Sequence, residues 1–306
     1  MDVPPAPAPR PLALVGALVG ALAVAVLASG PLHHAIAAFG GDPEFPKVFR
    51  YLALALLVGV LFATLRPWRD VPRDVWGLRG PVARTLRLLL AGAVAVAVLL
   101  TLVACVHALA GAVAWDDAPW AWRKFLRRLP KYLLPAVPFA LLEESFFRGW
   151  LPDRLRRRHG PRAAVVVAAA VFALLHAFRR SDAPDVAPGA AGALAILAAW
   201  ARNAADVAST GPSLVGLFLF ALVLSAARAR FSTLAFSVGA HAAAYAYLPL
   251  YSALTQPVHD GVGDPPWSWL GSKWLYDGVP GALLLAALLV LLARRPRVEA
   301  PAPPPT

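Results

Sequence analysis

The sequence predicts an all-α polytopic membrane protein, a bundle of about eight transmembrane helices around an intramembrane cavity. Of the 306 residues, 59% are apolar and only 15% are charged, against roughly 25% charged in soluble chains. The apolar residues fall in blocks about twenty long, the length that crosses a bilayer core as a helix. The 29 Lys+Arg outnumber the 17 Asp+Glu for a net +12, but they sit between the apolar blocks. They therefore mark topology rather than a nucleic-acid surface.

Met1–Pro11 is a Pro/Ala-rich tail, and Leu12–Ser29 is long enough to span. It lacks the short apolar core and the cleavage site of a signal peptide, so it reads as an anchor helix. Further spans are expected at Val48–Leu65, Leu86–Ala114, Tyr132–Leu151, Ala163–Phe178, Ser213–Ala227, Ser232–Leu250 and Val279–Ala293. The apolar piece Gly189–Trp200 is short and precedes Arg202, Asn203 and Asp206, which suits a re-entrant or interfacial segment.

Short-loop cations set the orientation. Arg66–Arg87, Arg154–Arg162, Arg228 with Arg230, and a tail with Arg294, Arg295 and Arg297 fall on one side. The other side carries Asp42, Glu44, Asp182, Asp185, Asp260, Asp264 and Asp277. Both termini are thus expected in the cytoplasm, with the chain in a plasma or inner membrane. One loop disagrees, with Arg123, Lys124, Arg127, Arg128 and Lys131 on the acidic side. Trp115, Trp120 and Trp122 in the same stretch point to an amphipathic helix on the membrane surface.

The single cysteine, Cys105, excludes an internal disulfide and multi-cysteine metal sites. Chemistry must come from carboxylates, histidines, hydroxyls or arginines. Ionisable residues deep in an apolar helix cost about 2.5–3.5 kcal/mol each on insertion scales, so each needs a reason. In the fourth span, Glu143 lies twelve residues after Lys131 and eleven before Arg154, about 16–18 Å from either at 1.5 Å per residue. That places it near the midplane. Glu144 and Arg148 are four apart, acid first, and meet on one helix face, while Glu143 points roughly 100° away and is free to act as a base.

A structural ion pair with one acid buried neutral is the competing reading. His176 and His241 each stand in an otherwise apolar span; singly, each reads as a packing histidine. Combined with a midplane glutamate, imidazoles can help to deprotonate water and donate to an oxyanion. His107 has no acid near it in sequence and reads as packing or a helix–helix hydrogen bond. Neither HExxH nor GxSxG occurs.

Glu143-Glu144-Ser145-Phe146-Phe147-Arg148 is an EExxxR motif, Phe172 to His176 an FxxxH motif, and His241 opens a third. Over about Tyr132–Leu250 the chain resembles the family of CAAX proteases and bacteriocin-processing enzymes, membrane-embedded glutamate-dependent endopeptidases. The resemblance implies an eight-helix bundle with a conical cavity. Glu143 and His176 would activate water there and His241 would stabilise the oxyanion, with Glu144, Arg148 and Phe172 in support. Where the family has Asn or Asp four residues after the third-motif histidine, this chain has Tyr245.

The expected organisation is 1–130 (tail, three spans and interfacial segment), 131–250 (catalytic core) and 251–306 (last loop, final span and tail). The expected partners are the lipid bilayer and a membrane-associated protein or peptide substrate, of CAAX type or processed at its C-terminus or as a precursor, with no nucleic acid. No cofactor is expected, although Glu143, His176 and His241 form a possible two-His-one-carboxylate zinc set. Two other classes fit less well: a non-catalytic immunity or scaffold protein, and a proton-coupled transporter, for which inverted repeats are missing.

Overall fold

The computed structural model describes residues 11–65, 81–177, 184–258, 268–272 and 274–294. The loop cations Arg69, Arg73 and Arg79, the acids Asp182, Asp260 and Asp264, and the tail arginines Arg295 and Arg297 lie outside the described residues. The described chain is mostly helical: α1 (Pro11–Ala38), α2 (Phe45–Leu65), α3 (Val82–Leu109), α4 (Pro119–Glu144), α5 (Leu151–Ala177), α6 (Ala190–Ala205), α7 (Val207–Phe231), α8 (Ala235–Leu254) and α9 (Val279–Arg294). A π-helical turn, Ser145–Trp150, joins α4 to α5. Strands β1 (Val113–Trp115) and β2 (Thr255–Pro257) pair antiparallel, with Val113 opposite Pro257 and Trp115 opposite Thr255.

The chain forms two compact units. In one, α1, α2 and α6 pack through Ala25, Phe49, Ala193 and Ile196. Gly30 lets α1 approach the backbone of Gly189, just ahead of α6. Of Gly189–Trp200, expected as a short re-entrant or interfacial piece, Ala190 onward is helical as part of α6, with Gly189 as its non-helical cap. The other unit holds the remaining helices around a core of Leu99 and Val103 (α3), Phe172 (α5), Leu224 (α7), Phe236 and Ala240 (α8) and Leu285 (α9).

Four helices are long and apolar enough to cross a membrane among the described residues: Gly16–Ala38, Val82–Leu109, His159–His176 and Thr210–Phe231. The expected number of eight is not reached by that measure. The other four expected spans fall on α2, on α4 with its π turn, on α8, and on α9. Of these, α4 carries five cations in its first half, and the described α9 is 16 residues long, shorter than the usual twenty or so. Leu86, Leu90, Val94, Val98 and Leu102, four residues apart along α3, are all exposed. Water does not tolerate so long an apolar stripe, whereas acyl chains do. The chain is an integral membrane protein.

Two expected boundaries shift. The surface helix and the fourth span are one element, since α4 runs from Pro119 through Pro130, Pro135 and Pro138 to Glu144. The expected loop Arg154–Arg162 is helical apart from a kink at Gly160 (φ 79°, ψ 167°). Glycine takes that left-handed φ without steric cost, and Pro161 follows it with no N–H to offer.

The second unit depends on how closely α3 and α8 approach. A Cβ at Gly239 would lie 1.9 Å from the Leu89 carbonyl oxygen, and one at Gly92 would lie 2.0 Å from that of Phe236. Both obstacles are backbone, which cannot rotate aside. Glycine is what brings α8, and with it His241, against α3. Gly239→Ala should destabilise the protein by about 1–3 kcal/mol, the usual cost of overpacking, read as a lower Tm in detergent. Gly20→Ala, with open space around the new methyl, should leave Tm unchanged or raise it slightly, because Ala is the better helix former. Equal Tm for Gly239→Ala and wild type would show that the α3–α8 crossing is not tight.

Candidate active site

The floor of the site is an ion pair excluded from solvent. Arg148 Nη1 donates to Glu144 Oε1 at 2.9 Å, with side-chain exposures of 2% and 0%. The i,i+4 spacing makes the meeting possible. The π turn begins at Ser145, and its wider winding appears in the Leu151 N–H donating to the Phe146 carbonyl. Such turns insert a residue into an α-helix and are frequent at functional sites. Arg148 is held on further sides: Nη2 donates to the Ala221 carbonyl at 3.4 Å, and its Cζ lies 4.3 Å from the Phe172 ring centre. In so apolar a setting neither charge would persist without the other.

Above the floor, His241 reaches in from α8. Its Nδ1 lies 2.8 Å from Glu144 Oε1. A carboxylate held ionised by arginine only accepts, so Nδ1 carries the proton and donates. The opposite ring nitrogen, Nε2, then faces Glu143 Oε2 at 3.4 Å. His176 arrives from α5 with its Nδ1 2.9 Å from the Phe172 carbonyl, again an acceptor, so that nitrogen also donates. Its Nε2 faces the same Glu143 Oε2 at 3.3 Å. Both contacts are longer than a well-formed N–H···O bond.

Glu143 and His176 are the open edge of the cluster, with side-chain exposures of 25% and 16%. Aromatic rings form its walls. Phe172 stacks on His176 with centroids 4.0 Å apart and meets His241 edge-on at 5.7 Å. Phe220 of α7 meets His241 edge-on at 6.0 Å. One phenylalanine, Phe172, thus separates the Arg148 guanidinium from the His176 imidazole while touching both.

The structure therefore brings Glu143, Glu144, Arg148, Phe172, His176 and His241 together. Tyr245, one turn after His241, stacks its ring on Phe139 and meets Tyr132 edge-on, both on α4. His107 lies elsewhere, with Nε2 3.0 Å from the Leu270 carbonyl. Sequence reading missed Phe220, the Ala221 carbonyl and the π turn. Phe220 stands in an unbroken apolar run, and no residue type marks a π turn or a backbone acceptor.

Chemically, three acceptor atoms converge on one point, because each neutral imidazole would present a lone pair to Glu143 Oε2. A shared proton, a water or a cation placed there would be held by all three. Ligand atoms of Glu143, His176 and His241 all lie within 4.8 Å of one another, close enough to hold a metal ion. A proton on His241 gives the cluster no net charge, since two carboxylates face one guanidinium and one imidazolium.

Removing half of the floor pair leaves a buried charge alone, which costs about 3–5 kcal/mol. Arg148→Leu should lower stability by that amount in thermal unfolding, and adding Glu144→Gln should recover part of it. A loss equal to the sum of the two single changes would show that the pair is not coupled.

No curated protein and no solved structure matches the chain. A family model does match, over residues 125–247, and this stretch contains Glu143, Glu144, Arg148, Phe172, His176, His241 and Tyr245. Over those residues the chain is similar to the type II CAAX prenyl endopeptidase Rce1-like family, in agreement with the resemblance of its three motifs.

Proposed function

We propose that the protein is an intramembrane endopeptidase that hydrolyses a peptide bond of a membrane-associated protein, with water activated by Glu143. The observation that carries this reading is the convergence of Glu143, His176 and His241 from three helices on one half-open point, over a fully buried ion pair. A buried pair alone would stabilise nothing that apolar residues could not, so its support of His241 favours a functional reason for it.

Water at this point would donate one hydrogen to Glu143 and the other to His176 Nε2. As its oxygen bonds to the peptide carbonyl carbon, Glu143 takes the proton, and the carbonyl oxygen gains the negative charge. His241, protonated and anchored through Nδ1 to Glu144, donates Nε2–H to that oxyanion. Collapse breaks the C–N bond, and Glu143 returns its proton to the leaving nitrogen. The apolar walls keep other water out and strengthen each charge interaction. No metal enters this scheme; in its place, zinc held by the same three residues would polarise water as a Lewis acid.

The substrate reading, a CAAX-type tail or a precursor processed near its C-terminus, rests on the family match over 125–247. The non-catalytic alternative rests on Tyr245, whose ring is engaged in packing where the family carries a small amide or acid.

A purified sample in nanodiscs should cleave a fluorogenic prenylated peptide. Glu143→Gln should fold with an unchanged Tm and lose about 10²–10⁴ in kcat, the usual contribution of a general base. A chelator should leave the wild-type rate intact. Cleavage by Glu143→Gln at the wild-type rate would overturn the mechanism, and chelator inhibition reversed by zinc would transfer the water to a metal. Inactivity of the wild type together with gain of activity in Tyr245→Asn would support the non-catalytic reading.

A further inference from the structure

The first half of α4 displays two adjoining stripes that the proposed chemistry does not use. At roughly 100° per residue, Ala121, Phe125, Arg128, Tyr132 and Ala136 share one face. It is the inward one: Ala121 and Ala136 are buried, and Arg128 Nη1 donates to the Pro249 carbonyl and to Ser252 Oγ on α8. Arg123, Arg127 and Lys131 stand four residues apart on the outward face and are all exposed. Between these two faces run Trp122, Leu126 and Leu133, also exposed.

Among the described residues the cationic stripe has one internal contact, Lys131 Nζ 5.8 Å from the Tyr132 ring centre, which neutralises no charge. Like charges four apart on a helix repel, and among the described residues no ion pair with a carboxylate engages Arg123, Arg127 or Lys131. Nor does the expected topology call for it, since most of the remaining short-loop cations are expected on the opposite side. An anionic partner removes the repulsion. The position narrows the choice of partner. Lys131 and Arg127 lie twelve and sixteen residues before Glu143, about 18 and 24 Å along the axis, whereas half of a bilayer core is about 15 Å. Exposed Trp115, Trp120 and Trp122 lie at the same end of the helix, as side chains do at the headgroup level.

We propose that this part of α4 is a binding site for anionic phospholipid. The phosphodiester and its anionic headgroup sit on the guanidinium forks of Arg123 and Arg127 and on the Lys131 ammonium. An acyl chain lies along Trp122, Leu126 and Leu133. Guanidinium matches a phosphate in geometry as well as charge, and the apolar stripe beside it fits a lipid better than a soluble anion.

Native mass spectrometry of the intact detergent-solubilised chain tests this, using phosphatidylglycerol and phosphatidylcholine of identical acyl chains as probes. Wild type should retain phosphatidylglycerol at least several-fold more than phosphatidylcholine. R123Q/R127Q/K131Q should lose that preference, while R123K/R127K, which keeps the charge, should hold most of it. R156Q, at a cation paired with Asp153, should behave as wild type. Should the triple variant fail to fold, R127Q alone should reduce the preference. An unchanged preference in R123Q/R127Q/K131Q, or in folded R127Q when the triple variant does not fold, would overturn the proposal. No preference in wild type would also overturn it, and capture of a polyglutamate peptide would then assign the stripe to an acidic protein partner.

Discussion

The buried Glu144–Arg148 pair is the constraint around which the functional unit is arranged. Two opposite charges without solvent require one another, and each requires further partners to satisfy its remaining hydrogen-bonding capacity. Glu144 draws in His241 from α8, and Arg148 reaches the Ala221 carbonyl on α7 and covers the face of Phe172 on α5. Four elements are tied by one ion pair. Moving any of them would leave a polar group unsatisfied in an apolar surrounding, so the geometry at Glu143 is set from below.

That constraint is matched by packing. Gly92 and Gly239 bring α3 and α8 close enough that no side chain fits between them, and Ser237 Oγ donates to the Leu224 carbonyl across to α7. His241 therefore sits on a helix with little freedom to slide. The exposed apolar stripe of α3 and the cationic stripe of α4 face outward from the same unit, one matched to acyl chains and the other to headgroups.

The parts legible in the sequence are those with a local energetic signature. A charged residue in an apolar run stands out by its insertion cost, and a spacing of four is enough to pair Glu144 with Arg148. The convergence of His176 and His241 on Glu143 is a long-range relation, and in the sequence only the resemblance of three motifs to one family links them. Spacing alone leaves each histidine a packing residue. Boundaries are the least legible part. Five cations in Arg123–Lys131 suggest a separate surface helix because polarity changes there, yet the backbone continues unbroken to Glu144. Arg154–Arg162 suggests a loop because it is charged, yet only Gly160 departs from helical geometry. Polarity reports where water or headgroups are, whereas helix ends are decided by the backbone.

The most direct measurement compares membrane proteomes incubated with wild type and with Glu143→Gln, reading new protein termini by mass spectrometry. Hydrolysis at Glu143 predicts a set of termini present only with wild type and concentrated in membrane-associated proteins. Identical sets from two equally folded proteins would contradict it, leaving the buried pair and its histidines as scaffold.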